Sequence, residues 1–242
     1  MRKKIGGSCS FPVVIILASL CLPMSGFAQK LEPINLLPPQ KDGGKSVLAS
    51  LQERQSIKNI KPDPLPPQML SNLIWAAFGI NREEPLPEGN KPGRTAASAS
   101  NSQEIDLYVA LPGGVYIYDP VPHRLVPVVA GDFRARSGRA AAAVAPVNIF
   151  YVVDLSKYVV GRDKSMADPE VQKSYYYTDT GLIGSNVYLF AASQGLAAWF
   201  HKCDNAGAAQ DFKLRPDQKV LYAQTVGYPD SKPSSPPAGR GR

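Results

Sequence analysis

Three separated stretches carry residue types suited to an anionic, planar ligand. The first, Glu53-Arg54-Gln55-Ser56-Ile57-Lys58, sets an arginine and a lysine four positions apart with a serine between them. An arginine fork, a hydroxyl and an ammonium make a cradle for phosphate. Each hydrogen bond to a charged group contributes about 1.5–3 kcal/mol. The same hexamer also reads as the solvated basic end of a helix. The second stretch runs from Arg94 to Glu104 and contains Ser98, Asn101, Ser102 and Gln103 among alanines. Small side chains let a ligand approach the backbone. Hydroxyls and carboxamides both donate and accept, which suits a heterocycle whose edge alternates donors and acceptors. A polar turn before a strand is the alternative. The third stretch, Ala191 to Trp199, holds Gln194 and Gly195. Gly195 is placed to end a helix and leave amides exposed to a ligand edge, or simply to stop the helix.

These stretches need elements to hold them. Ser46 to Leu51 predicts a helix opening on a serine cap. Gln68 to Phe78 has Leu70, Leu73, Ile74 and Ala77 on one face, and Gly79 ends it. Residues 81–93 read as a polar, proline-rich loop. Leu107–Val109 and Val115–Tyr118 flank Pro112-Gly113-Gly114, a hairpin signal. Leu125 to Val129 adds a strand that Pro127 assigns to an edge. Val147 to Val153 predicts a buried strand, and Val220 to Val226 the last one. A long helix is predicted from about Gln172 through Ser193. Its Thr178–Ser193 part is apolar or small nearly all round, so it must be covered on more than one side. Gly181, Gly184 and Ala191 permit close approach there, either in a core or in a subunit interface. The fold class is α+β, helices flanking a mostly antiparallel sheet.

Composition sets the outer limits. The chain has 242 residues and a formal charge of +7. Arg2, Lys3 and Lys4 precede an apolar run, Phe11 to Leu22, which is too short to span a bilayer. Gly26-Phe27-Ala28 offers small residues where a signal peptidase reads. Residues 1–28 are therefore expected to be a signal peptide cleaved after Ala28, with no stable membrane span left behind. An uncleaved anchor is the alternative, and Cys21 raises a lipidated one, although Leu20 makes a poor lipobox. No twin-arginine pair precedes the run, so export would be in the unfolded state. The product would be periplasmic or secreted. Residues 29–45 form a lead-in, 46–229 one domain, and 230–242 a proline-rich, disordered tail.

Without the leader the charge falls to +4, and only Cys203 remains of three cysteines. No disulfide can form within the domain, and Cys203 is read as idle rather than paired with His201. No basic stripe with interleaved aromatics marks a nucleic-acid binder. Two distant histidines, His123 and His201, give no metal spacing.

Taken together, Arg54-Gln55-Ser56 with Lys58, Ser98-Ala99-Ser100-Asn101-Ser102-Gln103, Asn186 through Leu196 and Val226-Gly227-Tyr228-Pro229 resemble the motifs of the nitroreductase-like FMN flavoproteins, in their order. The Arg94-Thr95-Ala96 start and the Glu104-Ile105 strand resemble the branch of thiazole/oxazole-forming oxidases. The resemblance covers about residues 46–229. It implies a homodimer with FMN at the subunit interface and the long helix in that interface. It implies Arg54, Gln55, Ser56 and Lys58 at the phosphate, and Ser98, Asn101, Ser102, Gln103, Gln194 and Gly195 at the ring and ribityl chain. It also implies ping-pong redox chemistry with NAD(P)H as donor and a small-molecule electron acceptor. No side-chain acid or base is required. The family's basic residues after the last strand are represented only by Lys232, Arg240 and Arg242, so Arg215 or Arg94 is a candidate to complete the phosphate site. Two other readings stand beside this one: a secreted flavin- or ligand-binding protein without redox turnover, and an interaction domain docking through Tyr175 to Tyr177.

Overall fold

The computed structural model describes residues 30–85, 91–158 and 164–230. The expected signal segment and its cleavage site lie outside the described residues, as do Lys232, Arg240 and Arg242. In chain order the elements are β1 (Ile34–Asn35), α1 (Val47–Glu53), α2 (Pro67–Phe78), β2 (Ile80–Pro85), β3 (Pro92–Arg94), β4 (Ile105–Leu111) and β5 (Gly114–Asp119). There follow β6 (Arg124–Ala130), α3 (Ala140–Val144), β7 (Val147–Asp154), α4 (Pro169–Gln194), β8 (Ala197–His201), α5 (Asn205–Asp211) and β9 (Gln218–Gly227). Seven strands form one antiparallel sheet in the order β1-β6-β5-β4-β7-β9-β8, and β2 pairs with β3 alone.

Strand β7 lies between β4 and β9 with all eight residues buried, which accounts for its continuous apolar sequence. Its side chains alternate between two packed layers. Val147, Ile149, Tyr151 and Val153 join the larger cluster with Leu73 and Ile74 of α2 and Ile183 and Val187 of α4. Phe150 and Val152 face the smaller cluster around Phe212, just past α5. The sheet is thus covered on both faces, and the α+β class holds.

Helix α4 explains its all-round small and apolar character by doing two things at once. Tyr176, Ile183, Gly184, Val187 and Ala191 are buried, and a Cβ on Gly184 would stand 3.0 Å from the Phe200 ring. Tyr177, Gly181, Leu182 and Ser185 face outward, with open space above Gly181. The helix begins at Pro169, earlier than predicted, because Asp168 caps it by accepting from Glu170 N–H at 2.9 Å. Tyr176 is core, and Tyr177 packs 6.0 Å from the Tyr222 ring, so the tyrosine run serves helix packing.

Four expectations change. The predicted loop 81–93 contains the β2–β3 hairpin. The lead-in contributes β1, whose Ile34 and Asn35 pair with Leu125 and Arg124. That places β6 inside the sheet; Pro127 is tolerated because β1 stops short of it and because the β5 register shifts beside its partner Tyr116. Strand β8 was missed, hidden behind the glycine stop that precedes it. Gly79 ends α2 as predicted, but with extended φ of −74°; glycine is needed because a Cβ would strike the Trp75 ring.

Candidate functional site

The segment after α1 runs along the outer strand β8 and the end of β9. Ile57 N–H donates to Ala198 O at 3.0 Å, Lys61 N–H to Tyr228 O at 2.9 Å, and Ile60 bridges Pro229. This pairing fixes the backbone on which Arg54, Gln55, Ser56 and Lys58 stand, all four exposed. Tyr188 of α4 organises the group. Its hydroxyl accepts from Phe200 N–H at 2.8 Å and meets Ser56 Oγ at 2.8 Å, and its ring lies 5.3 Å beneath the Arg54 guanidinium. Lys58 Nζ stands 5.4 Å from the Trp199 ring centre, and the Arg139 guanidinium 5.8 Å from the same ring. Among the described residues none of these three cations pairs with a carboxylate. Aromatic faces hold them in place while leaving their donors free for an anion.

The cleft beside them measures about 370 Å³ and is lined by Arg54, Gln55, Ile57, Ala192, Gly195 and Leu196, among others. The structure thus brings the first and third stretches together. Gly195 is left-handed (φ 69°), with its N–H on the Ala191 and Ala192 carbonyls, and nothing stands within 4 Å of where its Cβ would be. Gln194 is half-buried and sits against Gly44 of the lead-in, its Nε2 3.3 Å from Ser193 Oγ, rather than lining this cleft.

The second stretch lies elsewhere. It enters β4 at Ile105, opposite Val153, whereas the cleft adjoins the Val147–Val226–Ala198 end of the sheet. Six residues of β7 between these ends span roughly 20 Å. The same separation measured along α4, from Asp179 to Gly195, is roughly 24 Å. One chain therefore cannot place both sets on a single ring.

The loop itself is tightly braced. Ser100, Asn101 and Gln103 adopt left-handed φ of 48°, 50° and 51°, at a cost of about 1–3 kcal/mol each for residues other than glycine. Ser98 Oγ accepts from Gln103 N–H at 3.1 Å. Gln103 Nε2 donates to Pro92 O and Asn101 Oδ1 at 2.7 and 2.8 Å, and its Oε1 accepts from Arg94 Nε at 2.8 Å. Both amide hydrogens of Gln103 are thus committed internally. Ser102 Oγ donates to Glu104 Oε2 at 2.5 Å. Ser98 and Asn101 are half-buried, and Ser100 is exposed. Arg94 orders the loop: it donates to Phe78 O at 2.6 Å, lies 4.5 Å from the Phe78 ring, and burial brings its pKa down to about 10.

Arg215 does not complete the phosphate cradle. It pairs with Asp154 at 2.8 Å and Asp217 at 3.1 Å, at the far end of β9 from the cleft. Arg139, missed in the sequence, lies over the same Trp199 ring as Lys58; the polar run Arg134 to Arg139 before a buried strand was its only signal. Cys203 makes no nucleophile with His201. Burial pushes its thiol up to about 12, and the His201 nitrogens face Lys202 O and Thr225 Oγ1 at 2.9 Å.

The model of the nitroreductase family matches residues 51–228. The chain belongs to the nitroreductase family. A solved nitroreductase-named protein of Ralstonia eutropha JMP134 is 33% identical, with a TM-score of 0.72 over 84% of this chain and 91% of that one. A nitroreductase-named protein of Methanocaldococcus jannaschii is 25% identical over 182 residues, 70% of this chain and 82% of its own length. The fold is also that of the NADPH:FMN oxidoreductase from Vibrio harveyi solved with NAD+, with a TM-score of 0.51, 17% identity, and 79% and 72% of the two chains covered. As a nitroreductase-family protein the chain is an oxidoreductase, and its matched region spans both the cleft and the loop. Among the described residues no helix is long and apolar enough to cross a membrane.

Proposed function

We propose that this protein is an exported, FMN-dependent oxidoreductase that works as a homodimer. Turnover is of the ping-pong type, with a reduced nicotinamide as donor and a nitro compound, quinone or similar small molecule as acceptor. The observation that carries this reading is the set of unpaired cations on aromatic faces beside the Gly195 cleft, with the braced serine-amide loop held at the opposite end of the same sheet. Two copies related by a twofold axis can bring the cleft of one to the loop of the other.

Three features support the pairing. Val47, Leu48 and Leu51 of α1 are exposed at 67%, 79% and 53%, an apolar face too large to leave in water without reason. Tyr177 and Leu182 add outward apolar surface on α4. A solved relative in fold is named for NADPH and FMN.

In this site Arg54, Ser56 and Lys58 hold the phosphate, with Arg139 as a further cation over Trp199. Tyr188 holds Ser56 and the Arg54 guanidinium in register. Leu196 and Ala192 wall the ring from water, while the bare Gly195 turn, with nothing near where a Cβ would stand, lets the ring approach the backbone closely. Ser98 and Asn101 of the second copy complete the polar edge, and Gln103 and Ser102 brace that loop from behind. FMN supplies the electron-transfer chemistry when bound; the chain binds, orients and shields it.

The test is the absorbance spectrum of the freshly purified mature protein. A flavin spectrum released on denaturation, bleached by reduced nicotinamide and restored by a nitroarene or quinone, is the expected result. Flavin that binds without bleaching would leave a binding protein lacking turnover. A colourless protein that does not take up added FMN overturns the reading. Export is tested by recovering the mature chain outside the cytoplasm with its N-terminus at Gln29.

A further inference from the structure

Two carboxyls bracket the 98–103 loop. Glu104 follows it directly and is fully buried. Its Oε2 accepts from Ser102 Oγ at 2.5 Å, while its Oε1, also buried, has no hydrogen-bond donor among the described residues. Asp179, buried halfway along α4, accepts from Ala99 N–H through Oδ2 at 2.9 Å. Both carboxyls hold the same turn, Asp179 through Ala99 and Glu104 through Ser102; burial first, and Glu104 second, push Asp179 up to about 7, while the Ala99 N–H pulls it down.

Among the described residues no cation pairs with either carboxyl. Tyr158, beyond β7, donates its hydroxyl hydrogen to Gln172 O at 3.2 Å; burial, the charges of Glu104 and Asp179 and its approach to the Glu104 carboxyl keep its phenol neutral, with Tyr176 of α4 beside it. The cations nearby are used elsewhere. Lys157 donates to Asp106 at 2.5 Å and to Gln103 O at 3.4 Å, Lys91 bonds Ser102 O, and Arg94 bonds Gln103 and Phe78. Two ionised carboxylates here would repel in a medium that screens them poorly. A single proton on Asp179, donated toward Glu104, removes the repulsion and supplies the orphan oxygen with a donor.

We propose that Asp179, protonated beside the buried Glu104 carboxyl, positions the 98–103 loop, holding it at and below neutral pH and releasing it as the Asp179 proton is lost. The pair acts through the loop and not on a substrate. Three left-handed residues make the loop dependent on such bracing. The sign follows from proton binding. Between about pH 4 and 7 the folded chain holds a proton that an unfolded Asp179 has released, so the contribution is present at low pH and lost as pH rises through about 7.

The role of the loop in cofactor binding rests on the function proposed above, so the deciding measurements avoid flavin. Difference infrared spectra of the mature protein should show a protonated-carboxyl band lost between pH 6 and 8, absent from D179N and titrating at lower pH in E104Q. Hydrogen exchange of amides 99–103, corrected for its intrinsic rate, should lose at least about ten-fold protection over the same window. D179N should keep its protection throughout, since an amide donates to Glu104 and accepts from Ala99 at every pH. D179L should lack it throughout. A band that does not titrate, or a D179N protein with the wild-type pH slope, overturns the pair. Where FMN binds, its Kd in the wild type should rise about ten-fold over this window and stay flat in D179N. Titrating protection with an unchanged Kd would detach the loop from the cofactor and leave the pair standing.

Discussion

The two ends of the sheet are built on opposite principles. At the Val226 end, charge is exposed and unpaired: Arg54, Lys58 and Arg139 lie on aromatic faces, and a cleft of about 370 Å³ stands open beside them. At the Asp154 end, polar groups are mostly buried and bonded to one another or to backbone, Gln103, Ser102 and Arg94 among them, with Glu104 Oε1 left over. One end has binding capacity without a second wall. The other has a rigid wall without capacity of its own. On the function proposed above, the contrast means that neither end is a complete site and that the pocket takes one end of each kind from two chains.

The most demanding way to break this comparison is subunit mixing. R54A should lose roughly ten- to a hundred-fold in FMN affinity, as expected for one charge-assisted contact. A loop variant such as S98A with N101A should lose binding from the other side. Refolded together, the two inactive chains should regain about a quarter of wild-type sites, because half the dimers form one intact pairing of cleft and loop. No regain would mean that each chain builds its site alone. L48E comes next. Placing a charge on a residue 79% exposed costs a lone chain little, but should split the dimer in light scattering and abolish flavin retention while leaving circular dichroism unchanged. G195A should act locally. Its left-handed φ costs an alanine about 1–2 kcal/mol, lowering Tm by about 2–4 °C per kcal/mol at this size. The smallest effect belongs to Cys203, whose thiol is pushed up to about 12 by burial and Asp204. Alkylation at pH 7 should be slow until the chain is denatured; rapid labelling would refute that environment.

The sequence made the scaffold legible wherever one periodicity ruled. The α2 face, the β7 run and the β4–β5 hairpin all follow from apolar spacing, and the Gly195 stop from glycine's access to left-handed backbone. It was less legible where neighbours decide. Pro127 reads as an edge residue; β1 covers only Arg124 and Leu125, so β6 is an inner strand there and an edge at Pro127. Gln103 has the chemistry of a ligand contact, yet its amide is consumed by Pro92, Asn101 and Arg94, partners that local sequence cannot name as such. Arg139 carried no motif; only the fold brings its guanidinium over Trp199 of β8. Arg215 looked equally available and is tied to Asp154.

The stretch from Gln55 to Lys61 has one more consequence. By donating from Ile57 to Ala198 O of the outermost strand, and from Lys61 to Tyr228 O just past β9, it covers acceptors that would otherwise be offered to any passing chain. The proposed phosphate motif is therefore also a guard rail. A form of the protein emptied of its ligand, with this stretch loosened, would bare an unpaired border and turn a loss of chemistry into a tendency to stick to itself.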